Sequence, residues 1–155
     1  MTIDAANRPE PLYLDDLAVG DQFTSGTHAL DAEQIVQFAS QFDPQPFHLD
    51  AEAAQGSFFQ GLAASGWHTT ALTMRLIVKS MHFAKGVIGA GAEVSWPQPT
   101  RPGDVLKVTS TIIEIIPSRS KADRGIVILE CITSNQDQQV LQRMVTKVLC
   151  FRKEG

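Results

Sequence analysis

Apolar and polar positions change their period partway along the chain, which divides it into a helical stretch and a strand-rich one. Residues 17–30, LAVGDQFTSGTHAL, hold one short strand between polar ends. In DAEQIVQFASQF (31–42), Ile35, Phe38, Ala39 and Phe42 recur at i, i+3, i+4 and i+7, which predicts an amphipathic helix. Asp31 followed three residues later by Gln34 has the form of a capping box, and Pro44 stops the helix from running much further. LDAEAAQGS (49–57) predicts a short second helix ended at Gly56. The segment 61–81, GLAASGWHTTALTMRLIVKSM, carries the strongest helical signal. Its apolar residues, among them Trp67, Leu72, Met74, Ile77 and Val78, cover more than one face, so the expectation is a helix buried nearly all round.

Everything after Gly86 reads as strand and turn. GVIGAGAEVSW (86–96) stops at Pro97, and PQPTRPGD (97–104) is turn chemistry. The runs 104–116, 125–134 and 139–151 are long and β-branched, and the linkers 117–124 and 135–138 suit antiparallel connections. Three consecutive strands joined this way make a meander. A curved antiparallel sheet wrapped around the apolar helix accommodates every segment, which gives an α+β class. No repeat interrupts the pattern, so residues 1–155 read as one domain, with the polar, Pro-containing stretch 1–12 as a loose N-terminal arm.

Composition excludes more than it selects. At 155 residues the chain is long enough to bury a core without staples, and 43% hydrophobic with 19% charged residues is ordinary for a globular protein. A formal net charge of −4 argues against nucleic-acid and anionic-membrane partners. No apolar run reaches the roughly 18 residues that span a bilayer, and the N-terminus lacks the pattern of a secretory signal. Cys131 and Cys150 have no CxxC spacing and read as reduced core thiols, which fits a cytoplasmic protein with no zinc site.

Two places could carry chemistry. Asp43 and His48 are separated by Pro-Gln-Pro-Phe, and the prolines make that spacer stiff. A stiff spacer holds two side chains in one mutual geometry, as general acid–base work requires, with Phe42, Phe47, Phe58 and Phe59 supplying an apolar setting. From spacing alone loop chemistry remains the default, with Asp43 capping an amide and His48 a satisfied polar residue. The second place is ASGWHTT (64–70). Ser65 or Gly66 starts the helix, whose first amides have no partner, and a residue without Cβ lets a carbonyl approach the Gly66 N–H as in an oxyanion hole. Close packing at a helix entrance explains a glycine there equally well.

The run FASQFDPQPFHLDAEAAQGSFFQGLAASGWHTTAL (38–72) resembles the hydratase signature of the MaoC-like family, the (R)-specific enoyl-CoA hydratases. That pattern reads Asp, any residue, Asn, Pro, an apolar residue, His, any residue, Asp. Asp43, Pro46, Phe47, His48 and Asp50 match it in place, and Gly66 falls where the family has a helix-opening glycine. EVSWPQPTRPGDVLKV (93–108) is similar to the family's strand, proline and R-P-G-D turn. The resemblance implies a hot dog fold assembled as a homodimer or higher homo-oligomer. It implies reversible addition of water to a trans-2-enoyl thioester, of coenzyme A or acyl carrier protein, to give the (R)-3-hydroxyacyl product. Asp43 and His48 would be the acid–base pair and the Gly66 amide would polarise the thioester carbonyl. No metal or redox cofactor is implied, coenzyme A entering only as part of the substrate. The chain departs from the pattern at Gln45, where the family has asparagine, and at Ser65, which is read as variation without mechanistic weight.

Two other functions share this fold expectation: a hot dog thioesterase, which needs no histidine five residues after the acid, and an acyl-thioester-binding protein without turnover. The remaining candidates carry less. His68 reads as a satisfied helix histidine, while His28 and His82 read as solvent-facing at element ends. Arg75 reads as a snorkelling or interface residue. Arg101, Arg119, Lys121 and Arg124 read as solvated loop charges that could meet a phosphate, and Trp67 and Trp96 as core or acyl-pocket walls.

Overall fold

The computed structural model describes residues 11–154. After a 3₁₀ turn at Leu14–Asp16 come strand β1 (Gln22–Ala29), helices α1 (Ala32–Phe42), α2 (Pro46–Leu49), α3 (Ala51–Gln55) and α4 (Gly66–Ser80), then strands β2 (Ile88–Ser95), β3 (Val105–Pro117), β4 (Arg124–Ser134) and β5 (Val140–Phe151). The five strands form one antiparallel sheet in the order β1-β3-β4-β5-β2, so the expected β3-β4-β5 meander sits at its centre. Burial alternates strictly along β4, whose Val127, Leu129, Cys131 and Thr133 are fully buried. The sheet curves around α4, which packs against β1, β3 and β5. This is the α+β hot dog arrangement that the resemblance implies.

The core joins Leu72, Leu76 and Ile77 of α4 to Phe23, Leu106, Val108, Ile112, Leu129 and Val148 of the sheet. Side chains of that size, once fully buried, each stabilise the fold by about 1.5–3 kcal/mol. A polar seam runs through the same interface. Gln142 on β5, fully buried, accepts hydrogen bonds at Oε1 from Thr70 Oγ1 (2.8 Å) and Trp96 Nε1 (2.9 Å), and donates to Thr73 Oγ1 (3.1 Å). Thr73 Oγ1 also lies 2.6 Å from Thr133 Oγ1, and Thr69 Oγ1 lies 2.8 Å from Thr100 Oγ1.

The helix within 61–81 starts at Gly66 with Ser65 as its cap, accepting from the Trp67 amide, as the sequence predicts, and residues 61–64 are non-helical. The stiff PQPF spacer includes part of a single helical turn, α2, with Pro46 at its first position, where its missing N–H costs nothing. Two expectations need correction. The helix is not buried all round: Trp67, Met74 and Val78 form an exposed apolar stripe. One chain supplies one sheet, which covers one face, and the residue count along the helix cannot reveal that the other face is left open. The loose arm of 1–12 lies mostly outside the described residues, but Leu12 is buried and its N–H bonds the His82 carbonyl at 2.7 Å.

The caps follow the sequence closely. Asp31 accepts from the Gln34 amide at 2.9 Å. The Gln34 side chain does not close the capping box, bonding the Ala29 carbonyl and His28 instead.

Candidate active site

Asp43 is the residue after α1, in a non-helical conformation that turns its carboxylate away from the helix axis. Two residues on, the Gln45 amide bonds the Asp43 carbonyl, and the Gln45 carbonyl accepts from the His48 amide, so α2 is folded directly onto the acid. The result places His48 Nε2 3.3 Å from Asp43 Oδ2. On its other side His48 Nδ1 lies 2.6 Å from the Ala63 carbonyl, an acceptor only, so Nδ1 carries the imidazole proton and Nε2 is turned to Asp43 with its lone pair. His48 is 5% exposed, with Phe47 packed edge-on to its ring.

The carboxylate is held from three sides. Burial pushes the Asp43 carboxyl up, but the Gln45 and Ser65 side chains, together with the positive charge His48 carries when protonated, outweigh it and hold the group below the usual carboxylate range. The Gln45 Nε2 bond goes to Oδ1, which leaves Oδ2 for His48. Gln45, where the family has asparagine, therefore reaches the acid itself. Ser65, to which sequence reasoning gave no weight, caps α4 and at the same time helps hold the Asp43 carboxyl down.

Gly66 is the first residue of α4, so its N–H has no acceptor within the helix. The Trp96 indole lies flat against it. A Cβ built on Gly66 would fall 2.7 Å from Trp96 Cε2, so no other residue fits without moving the ring. His48, Ala64, Gly66, Thr69 and Trp96 line one cavity of about 460 Å³, with Phe58 and Phe59 at its rim. A second cavity of about 360 Å³, almost wholly apolar, opens between α4 and the sheet among Met74, Ile77, Val87, Leu129, Met144 and Val148. Trp67 lines the second cavity and stands edge-to-face with Trp96 of the first, at 5.4 Å between centroids, so the two tryptophans are walls rather than core.

The structure thus brings Asp43, His48 and Gly66 together and leaves the weaker candidates apart. His68 is buried but not satisfied. It stacks on Phe38 at 4.5 Å, its Nδ1 has no partner, and burial together with the charge of His28 pushes its pKa down to about 4. It lines a different cleft, between α1 and α4, with His28 and Arg75. His28 is not simply solvent-facing, since Nε2 lies 2.6 Å from Gln34 Oε1. Arg119, Lys121 and Arg124 are not among the residues lining the cavity at His48. Arg101 is no solvated charge: its guanidinium turns inward onto backbone carbonyls. Both cysteines are free and buried, and burial raises Cys131 to about 11 and Cys150 to about 12. Among the described residues no helix is long and apolar enough to cross a membrane.

A curved sheet around one helix, with a carboxylate–imidazole pair at that helix's N-terminus, defines a hot dog protein with a candidate acid–base site, and the comparisons agree on the fold. Residues 18–133 match the family described as MaoC like domain. The chain belongs to the MaoC-like dehydratase family. It is 31% identical over 131 residues to the uncharacterized protein YdeM of Bacillus subtilis, an alignment covering 82% of this chain and 90% of that protein. The crystal structure of a MaoC-like dehydratase from Rhodospirillum rubrum is 56% identical, with a TM-score of 0.91, covering 93% of this chain and 99% of the other. The unliganded R-hydratase PhaJ1 of Pseudomonas aeruginosa shares the fold at 24% identity, with a TM-score of 0.76 over 91% of this chain and 86% of that one.

Proposed function

We propose that the protein is a hydro-lyase that adds water reversibly to a trans-2-enoyl thioester, giving the (R)-3-hydroxyacyl thioester. The observation that carries this reading is the disposition of His48, with Nδ1 fixed on the Ala63 carbonyl and Nε2 3.3 Å from Asp43 Oδ2. With Asp43 ionised and His48 neutral, Nε2 and Oδ2 both present lone pairs, so a water resting against the pair, within reach of both, donates one hydrogen to each. As the water oxygen bonds the β-carbon, His48 takes its proton, and the Asp43 carboxylate stabilises the imidazolium that forms. The electron pair of the double bond moves onto the thioester oxygen, where the Gly66 amide and the α4 dipole meet the new charge. His48 then returns its proton to the α-carbon. One water has been added, and the dehydration direction retraces the same steps. The proton moves only between water, imidazole and carbon, so the cycle draws on no metal or redox group.

The apolar cavity beside Trp67 and Met74 gives the acyl chain a place to go, and the mouth at Phe58 and Pro99 leaves the coenzyme A or carrier-protein arm outside. The assembly we propose is a homodimer. β2 ends the sheet with one open edge, carries no proline or lysine to block pairing, and lies on the side of the molecule where α4 exposes Trp67, Met74 and Val78. The free, buried cysteines are compatible with a cytoplasmic setting.

The test is hydration of enoyl thioesters of rising chain length, followed as loss of the conjugated enoyl absorbance, with Asp43→Asn alongside. Substitution is expected to lower kcat by about a thousandfold. Release of free thiol without loss of enoyl absorbance would mark a thioesterase, and binding without either change would mark a non-catalytic protein. Either result replaces the reading.

A further inference from the structure

We propose that Arg101 is a positioning residue for His48, acting through the backbone of the loop between α3 and α4. The inference rests on the reading of Asp43 and His48 as the acid–base pair. The Arg101 guanidinium converges on three carbonyls of one loop: Nη1 donates to Gly61 (2.9 Å) and Leu62 (3.3 Å), and Nη2 donates to Phe59. The next residue, Ala63, supplies the carbonyl that holds His48 Nδ1. The last carbonyl Arg101 grips, that of Leu62, therefore belongs to the residue directly before the one whose carbonyl holds His48 Nδ1.

The loop would not hold this shape unaided. Gln60 sits at φ +54 and Gly61 at φ +152, both in regions that L side chains rarely adopt, and three carbonyl dipoles aimed at one point repel one another. A planar cation with several N–H groups is the side chain that relieves this arrangement, which a single ammonium does less well. The backbone that carries Arg101 is itself anchored. The Arg101 amide donates to Asp104 Oδ2 (2.8 Å), and Asp104 Oδ1 accepts from Asn135 on the β4–β5 connection. Gly103 and Asp104 exchange backbone bonds with Leu30 at the end of β1. Alongside, the Thr100 carbonyl accepts the Ala64 amide at 2.9 Å. The turn 101–104 is thus pinned to the two sides of the sheet, and through Arg101 it fixes where the Ala63 carbonyl stands.

The readout is the His48 imidazole itself, by ¹⁵N NMR of histidine-labelled protein. Only four histidines occur, so His48→Gln assigns the signal by its disappearance. The parent protein is expected to show the Nδ1–H tautomer at neutral pH. In Arg101→Gln the pattern is expected to shift toward a mixture of tautomers, with kcat falling about tenfold or more while KM stays within about threefold. Arg101→Lys, which keeps a charge and part of the contacts, recovers a portion of both. Circular dichroism confirms that each variant is folded, and should Arg101→Gln fail that check, the Lys variant carries the tautomer measurement. A folded variant in which His48 keeps the parent's Nδ1–H signature overturns the inference. The NMR experiment needs no substrate, so a parent protein inactive toward every enoyl thioester defeats the proposed function while leaving this result to stand or fall by itself.

Discussion

Ser65 caps α4 and its hydroxyl helps hold the Asp43 carboxyl below its usual range, so the residue that starts one helix acts on the acid that ends another. Ser65→Ala removes both effects at once. Loss of an N-cap costs about 1 kcal/mol, to be seen as a lower unfolding midpoint. The Asp43 carboxyl is expected to titrate at higher pH than in the parent, which carbon NMR of the side chain detects. Activity is expected to fall about tenfold, because an acid freed from one donor is worse placed.

At Gly66 the prediction is steric. Gly66→Ala puts a methyl 2.7 Å from the Trp96 ring. The ring must move or α4 must shift, at a cost of about 1–3 kcal/mol. Tryptophan fluorescence should report the displaced indole, and kcat should fall about a hundredfold as the first amide of α4 loses its aim. Gly66→Ala combined with Trp96→Leu makes room for the methyl and is expected to recover stability more than activity.

The acid limb of stability belongs in part to His68. Its folded pKa is near 4 against 6.5 for an ordinary histidine, so between those values the unfolded chain binds the proton more readily. Stability therefore falls as pH drops from 6.5 toward 4, by an amount on the order of 3 kcal/mol when the window has been crossed. Asp43 adds a further loss at lower pH, since its stabilising contribution is present above 3.8 and fades as pH falls through its depressed value. Urea titrations of His68→Leu are expected to show a flatter profile between pH 6.5 and 4. At neutral pH this variant should be no less stable than the parent, because the Nδ1 it removes has no partner.

The exposed stripe on α4 gives the assembly its test. Met74→Glu and Val78→Glu place charge on the apolar face and leave the core side of the helix untouched. Light scattering of the parent is expected to give the mass of two chains, and of the double variant one. A monomeric parent would remove the proposed dimer.

Local features were legible in the sequence because their causes are local. The Asp31 and Gly56 boundaries, the β-branched runs and the Asp43–His48 spacing depend on residues within a few positions of one another. Ser65 could be named as a helix start, but its effect on Asp43 across a loop could not. Arg101 and Gln142 were out of reach altogether, because their partners stand 39 to 42 and 46 to 72 residues away and nothing in either residue's neighbours marks it as buried or turned inward. The open face of α4 was misread for a related reason: hydrophobic periodicity records what a helix prefers to touch, and one copy of the chain does not supply all of it.

The seam through Gln142 bears on how α4 can turn. A helix seated on a sheet by apolar contacts alone can roll by several degrees and find another acceptable packing, since dispersion has little directional preference. Thr70, Thr73 and Gln142 act like a key in a shaft, because their bonds are satisfied at one azimuth of α4 and broken at others. Whatever chain length fills the apolar cavity, the strain it exerts on the helix meets that lock first. On the proposed function, the wall of the apolar cavity and the direction of the Gly66 amide can then vary independently, so substitutions that reshape that wall can leave the chemistry unchanged.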